Sequence, residues 1–235
     1  MCADEIGTGG ELALFQRVGR SELQKKAPLF PGLKWLLSLL ICALVVAAAF
    51  MFVDVPIAHG VDGILGSAKG LGSGLTSAVL LSIEAAVALA LLISRITRGR
   101  LSPLRETTAL ACLTSICAYA MNDSTLKLLF GVPNPESVLH GAQHAFHVLS
   151  GSSRSSFPSG HMVLAGAFAG VFMRLYRRSI LPFSALLFLA AALLVVGDWH
   201  FVSDVIAGAF AGISSGLLAG EIWLIHSKQE SKSWF

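Results

Sequence analysis

Charge is scarce in this chain. Only 13% of its 235 residues are Asp, Glu, Lys or Arg, where a soluble domain carries about a quarter. That deficit excludes an ordinary water-soluble surface, and the mean hydropathy of +0.73 agrees. Residues 35–53 and 180–197 hold no charged residue at all. Cysteine offers no framework either. Cys42, Cys112 and Cys117 fall in apolar runs and Cys2 in the polar N-terminal segment, at spacings that suit neither a disulfide nor a zinc site. They read as small hydrophobes. No internal repeat is present. The pI of 8.8 comes from basic clusters between the apolar runs, which are membrane anchors and not a nucleic-acid-binding surface.

What is present is organised. Residues 35–53 and 180–197 are long enough, or nearly so, to cross hydrocarbon, which takes about 20 residues per helix. Residues 75–94 do so with one interruption, Glu84, and residues 205–224 with Glu221 near the end. Glu84 is costly in lipid and is expected to face the bundle interior. Residues 107–121 and 162–173 are shorter, and cross only if the polar residues beside them face a shared interior. The pattern predicts an all-α, polytopic membrane protein with a six-transmembrane-helix bundle over residues 33–226. Polar tails flank it at 1–32 and 227–235. The first run starts late and exceeds a signal-peptide core in length, so it predicts an uncleaved helix.

The basic residues give an orientation. Arg17, Arg20, Lys25, Lys26 and Lys34 precede the first run; Arg95, Arg98, Arg100 and Arg105 separate the second from the third. Arg174, Arg177 and Arg178 separate the fourth from the fifth, and Lys228 and Lys232 follow the last. Every second connection is therefore basic, whereas the other side holds Lys69, Lys127 and Arg154 over a longer stretch. The positive-inside rule then puts both termini in the cytoplasm. In the inner membrane of a bacterial cell the other face is periplasmic or external. On that face, residues 54–74, with Gly60, Gly63, Gly66, Gly70, Gly72 and Gly74, read as a surface connection. Residues 134–158 form the longest outer loop, with a short helix expected over 136–149.

Two stretches place reactive side chains at the edges of apolar runs: Phe157-Pro158-Ser159-Gly160-His161, and His200 through Asp204. Burying such groups unpaired is costly. His200 and Asp204 are four residues apart, so on a helix the carboxylate holds one imidazole nitrogen and leaves the other to attack. Ser159-Gly160-His161 opens an apolar run. Gly160 lets the backbone approach an anion, Ser159 adds a hydroxyl, and the helix start adds N–H groups. Lys127 either snorkels to the interface or meets a phosphate as a point charge. Together these parts point to phosphoryl transfer at a membrane surface.

The order Lys127-x6-Asn134-Pro135, then Pro158-Ser159-Gly160-His161, then His200-x3-Asp204 resembles the type 2 phosphatidic acid phosphatase superfamily. That superfamily holds membrane lipid phosphatases and vanadium haloperoxidases. The resemblance implies His200 as a nucleophile forming a phosphohistidine, Asp204 as its orienting group and His161 as general acid and base. It implies Lys127, Ser159 and the Gly160 N–H as holders of the phosphate, with no metal or other cofactor. Two positions depart from the pattern: Asn134 replaces an arginine and Leu193-Leu194 replaces Ser-Arg.

Asn134 and Arg154 complete the expected phosphate-binding set, Arg154 as a substitute cation a few residues before Ser159. Asp198 adds negative charge beside His200. His140, His144 and His147 are expected as an exposed or headgroup-facing row on one helix face, without an acidic or cysteine ligand to complete a metal site. The expected function is a lipid-phosphate phosphatase, a hydrolase acting on a phosphatidate-like, isoprenoid diphosphate or lipid A-like substrate among membrane lipids. The alternatives are a lipid phosphotransferase using the same histidines and a non-catalytic lipid-phosphate binder.

Overall fold

The computed structural model describes residues 32–65, 77–99 and 101–232. Cys2, Arg17, Arg20, Lys25, Lys26, Gly66, Lys69, Gly70, Gly72, Gly74 and Arg100 lie outside the described residues. The chain divides into two compact units, Met1–Leu40 and Ile41–Phe235. In the first, residues 32–40 are the opening turns of a helix.

The described residues are all-helical outside their turns and loops. In chain order they form α1 (Gly32–Phe52), α2 (Asp54–Leu65), α3 (Ser77–Arg98), α4 (Pro103–Met121) and a π-helical turn (Asn122–Leu126). Then come α5 (Lys127–Phe130), α6 (Pro135–Leu139), α7 (Gly160–Leu175), a 3₁₀ turn (Arg177–Ser179), α8 (Ile180–Val196) and α9 (Val202–Lys232). Among the described residues four segments are long and apolar enough to cross a membrane: Gly32–Phe52, Ser77–Arg98, Arg177–Val196 and Val202–Ser227. They mark an integral membrane protein. α3 buries no residue within the fold, and on α8 Leu181 and Phe188 stand 80% and 78% exposed. Such faces are stable only against lipid.

α7 explains why the run at 162–173 looks weak. It has only 16 residues, yet every residue from 161 to 171 is buried or half-buried. Small residues replace leucine because this helix meets protein instead of lipid. Its principal partner is α9, and the contact is close enough to demand glycine. A Cβ at Gly170 would lie 2.6 Å from the Ile213 carbonyl oxygen, and one at Gly208 would lie 2.5 Å from the Ser159 carbonyl oxygen. Small faces of this kind let helix backbones approach within lipid, where apolar burial gives little drive. Near the basic end of the pair, Arg174 Nε donates to Glu221 Oε2 at 2.6 Å.

Three local expectations change. Residues 54–65 are helical and not an open connection; Asp54 sits in the first turn of α2, where an acidic side chain favours the helix start. The helix expected over 136–149 is limited to Pro135–Leu139. It stops because Gly141 takes φ +101°, outside the helical region. The segment from 227 to 232, read as tail, continues α9.

The glycine contact makes a testable demand. Gly170→Val and Gly212→Val should each destabilise by about 1–3 kcal/mol or more through overpacking. Gly60→Val, whose Cβ meets nothing within 4 Å, should cost far less. Thermal unfolding in detergent, followed by tryptophan fluorescence, checks the ranking.

Candidate active site

The site is assembled from α4, α5, the loop 131–159, α7 and α9. At the end of α4 the backbone loosens into the π-helical turn, a feature that often re-aims side chains at functional sites. Asn122 there is buried, and its Nδ2 donates to the Pro158 carbonyl oxygen at 3.2 Å. This contact pins the Pro158–His161 turn to α4. One turn later Lys127 is buried. Its Nζ donates to the Ser153 carbonyl oxygen at 2.9 Å and lies 3.3 Å from Asp123 Oδ1.

The loop is laced back onto α5 by backbone bonds. His147 N–H donates to Phe130 O at 3.0 Å, Gly151 N–H to Leu128 O at 3.1 Å and Ser156 N–H to Val132 O at 2.8 Å. Gly131, at φ +57°, gives the reversal. A Cβ there would meet the Gly151 nitrogen at 3.0 Å. Phe130 and Phe146 pack their edges on Phe157, with ring centroids 5.1 and 5.5 Å away. The result is a fixed strap that presents Ser153 to Lys127 and Ser156 to α9.

At the start of α9 lies the core of the site. Asp204 is fully buried. Its Oδ2 accepts from the Phe201 N–H at 2.8 Å and from the Ser156 hydroxyl. His200 Nδ1 lies 3.4 Å from the same oxygen and 3.2 Å from Ser156 Oγ. Nδ1 is therefore engaged from two sides, and Nε2 is the atom left for chemistry. The His161 ring sits 5.8 Å from the His200 ring and 5.7 Å from Trp199, with Nδ1 3.5 Å from Ser77 Oγ. α7 is tied to the same turn, because Ser159 N–H donates to the Asp204 carbonyl oxygen at 3.1 Å.

The structure thus brings His200, Asp204, His161 and Ser159 together. Ser159 caps α7: its Oγ accepts from the Met162 N–H at 3.4 Å, leaving the hydroxyl hydrogen to donate. Gly160 serves packing, since a Cβ would meet Tyr119 Cε2 at 2.8 Å. Asn134 Oδ1 is used as the cap of α6, accepting from Ser137 N–H at 2.9 Å. Arg154 has an exposed side chain on the strap, next to the Ser153 carbonyl that holds Lys127. The histidine row is dispersed: His140 ends α6, whereas His144 turns inward.

Two residues escaped the sequence reading. Ser156 gave no signal, because serine is common before a turn. Asp54 did leave one, as the first charge after an uncharged run. It is 1% exposed. Its Oδ1 accepts from the Ser203 N–H at 3.0 Å and its Oδ2 from the Ser203 hydroxyl at 2.5 Å. His144 Nε2 stands 3.6 Å from Oδ2. Burial pushes the Asp54 carboxyl up to about 6, against the pull of the Ser203 bonds. Burial also holds His144 below the usual imidazole range.

A family model, the PAP2 superfamily, matches residues 107–228. The chain belongs to the PAP2 superfamily. The match runs from α4 into α9 and takes in Lys127, the Pro158–His161 turn, His200 and Asp204. Asp54 and Ser77 lie before it. Comparison with curated proteins and with solved structures found no match.

The engagement of Nδ1 from two sides gives a prediction. Ser156→Ala removes one partner of a buried carboxylate, a loss of about 1.5–3 kcal/mol for a charged hydrogen bond. Turnover should fall about 10–100-fold with little change in expression. Asp204→Ala should cost more than Ser156→Ala. Steady-state kinetics of the purified variants test both.

Proposed function

We propose that this PAP2 superfamily chain is a lipid-phosphate phosphatase acting through a phosphohistidine on His200. The observation that carries the reading is His200 Nδ1 held at 3.4 Å by Asp204 and 3.2 Å by Ser156, with the His161 ring 5.8 Å away. Orienting one nitrogen leaves the other as a nucleophile.

His200 Nε2 attacks phosphorus while the bond to the lipid oxygen breaks. His161 delivers its proton to that oxygen. The neutral His161 then takes a proton from water, which attacks the phosphohistidine and releases inorganic phosphate. Asp204 and Ser156 stabilise the positive charge that forms on His200. Lys127, the Ser159 hydroxyl and the Gly160 N–H hold the phosphate oxygens, and Arg154 adds a cation from the strap. α4 and α7 join the four apolar spans to make six. The basic connections put both termini in the cytoplasm and the site on the outer face. The substrate is a phosphomonoester or diphosphate of a membrane lipid: phosphatidate-like, isoprenoid or lipid A-like.

Purified protein should release inorganic phosphate from at least one member of a panel of short-chain lipid phosphates, and His200→Ala should release none. Wild-type activity in His200→Ala removes the mechanism. Phosphate passed to an added lipid acceptor instead of water makes the protein a transferase.

Orientation has its own test. A cysteine introduced at Ser152 should react with a membrane-impermeant maleimide from outside the cell membrane, and one at Arg98 should not. The opposite pattern places the site in the cytoplasm.

A further inference from the structure

Asp54 stands outside the region matched by the family, yet it grips the turn that carries the proposed nucleophile. We propose that Asp54 is a positioning residue for His200, acting by holding the first turn of α9 through Ser203.

The first N–H groups of a helix lack intrahelical acceptors. In α9 two carboxylates supply them from opposite sides. Asp204 reaches back to the Phe201 N–H at 2.8 Å. Asp54 comes from the α1–α2 junction and takes both the N–H and the hydroxyl of Ser203, at 3.0 and 2.5 Å. Ser203 immediately precedes Asp204, so its placement fixes the carboxylate that holds His200. Both Ser203 and Asp54 are at most 1% exposed. The negative end of the contact also faces the positive end of α9.

Asp54 reaches a third element. His144 from the strap lies 3.6 Å from its Oδ2 and stacks on Phe50 of α1 at 4.0 Å. The same His144 ring meets Phe201 at 4.5 Å. The strap that brings Ser156 to Asp204 is therefore anchored at the same point as the turn that bears Asp204.

Four groups bear on the Asp54 carboxyl among the described residues: Ser203, the Val202 backbone N–H, His144 and the charge of Asp204. Burial and the Asp204 charge both raise its affinity for a proton, to a pKa of about 6. The protonation sign follows. Above about 6 the carboxylate accepts both Ser203 hydrogens. Below that, one oxygen carries a proton; the bonds to Ser203 lose their charge assistance, and the hydroxyl bond reverses, with the carboxyl O–H donating to Ser203 Oγ. Folding itself gains from that proton, since the folded pKa lies above the ordinary 3.8. Stability contributed by Asp54 is present at low pH and is lost as pH rises through about 6. The grip on Ser203 and the stability of the fold thus have opposite pH dependence, which separates a positioning role from a merely structural one.

The test uses the full chain in lipid nanodiscs, with Asp54→Ala, Asp54→Asn and Ser203→Ala. Hydrogen exchange of the peptide covering residues 201–206, corrected for intrinsic rates, reads the turn directly. Asp54→Ala should speed exchange about 10–100-fold there, while α7 stays protected. Asp54→Asn, which keeps one acceptor, should restore part of the protection, and Ser203→Ala should fall between. In wild type, protection of this peptide should drop as pH falls from 7.5 to 5, and in Asp54→Asn it should not respond. Turnover of dioctanoyl phosphatidate should fall about tenfold or more in Asp54→Ala, with KM within about twofold. Unchanged exchange at 201–206 in Asp54→Ala overturns the proposal. So does global unfolding of Asp54→Ala combined with wild-type exchange in Asp54→Asn and Ser203→Ala, which would make Asp54 structural only. The kinetic arm alone rests on the phosphatase reading. A wild type that turns over no lipid phosphate rejects that reading, and the exchange arm still decides on Asp54.

Discussion

Much at this end of the fold is organised around one buried carboxylate oxygen, Asp204 Oδ2. Asp204 is cut off from water, and an unpaired charge there would cost several kcal/mol. Its Oδ2 is matched by the Phe201 N–H, the Ser156 hydroxyl and His200. Each partner belongs to a different demand on the chain. Phe201 requires α9 to begin where it does. Ser156 requires the strap to be pinned to α5. His200 must then lie with Nδ1 toward Asp204, the orientation that the proposed nucleophile needs. The bonds that satisfy Asp204 Oδ2 are also the ones that place His200 Nδ1.

The charge balance of the site follows from its departures. Lys127 is buried beside Asp123 and the Ser153 carbonyl, so part of its positive field is already answered. Asn134 caps α6, where an arginine would project a guanidinium. Leu194 sits on apolar α8 and packs against the core cluster around Met162. On the proposed reading, a bound phosphate would lean on a lysine, a hydroxyl and the start of α7, with Arg154 of the strap as its one guanidinium among the described residues. Helix N–H groups and a preorganised hydroxyl stabilise an anion without long flexible side chains.

Much of this was legible in the sequence because the chemistry is local there. His200 and Asp204 are four residues apart across the start of α9, and Ser159-Gly160-His161 is contiguous. The apolar runs announced four membrane helices directly. α7 was harder to read. Its glycines and alanines lower its hydropathy, and only the close approach of α9 shows why they are needed. The partners of Ser156 and Asp54 were beyond reach for a different reason. Ser156 meets residues 44 and 48 positions away, and Asp54 meets Ser203 at a separation of 149. Such partners are chosen by the fold and leave no spacing to read. The α2 helix was obscured by glycines that usually mark loops, although an aspartate opens it and favours helix initiation.

The central claim is that His200 becomes covalently bonded to phosphorus. The most direct measurement is rapid quenching into alkaline SDS of wild-type and His161→Ala protein incubated with a ³²P-labelled lipid diphosphate, a substrate with a good leaving group, followed by peptide mapping kept at neutral to alkaline pH. The account predicts an acid-labile, base-stable label on the peptide bearing His200. It should accumulate in His161→Ala, where water is not activated, and be absent in His200→Ala. Rapid phosphate release with no label at His200, or a label that survives His200→Ala, would contradict it.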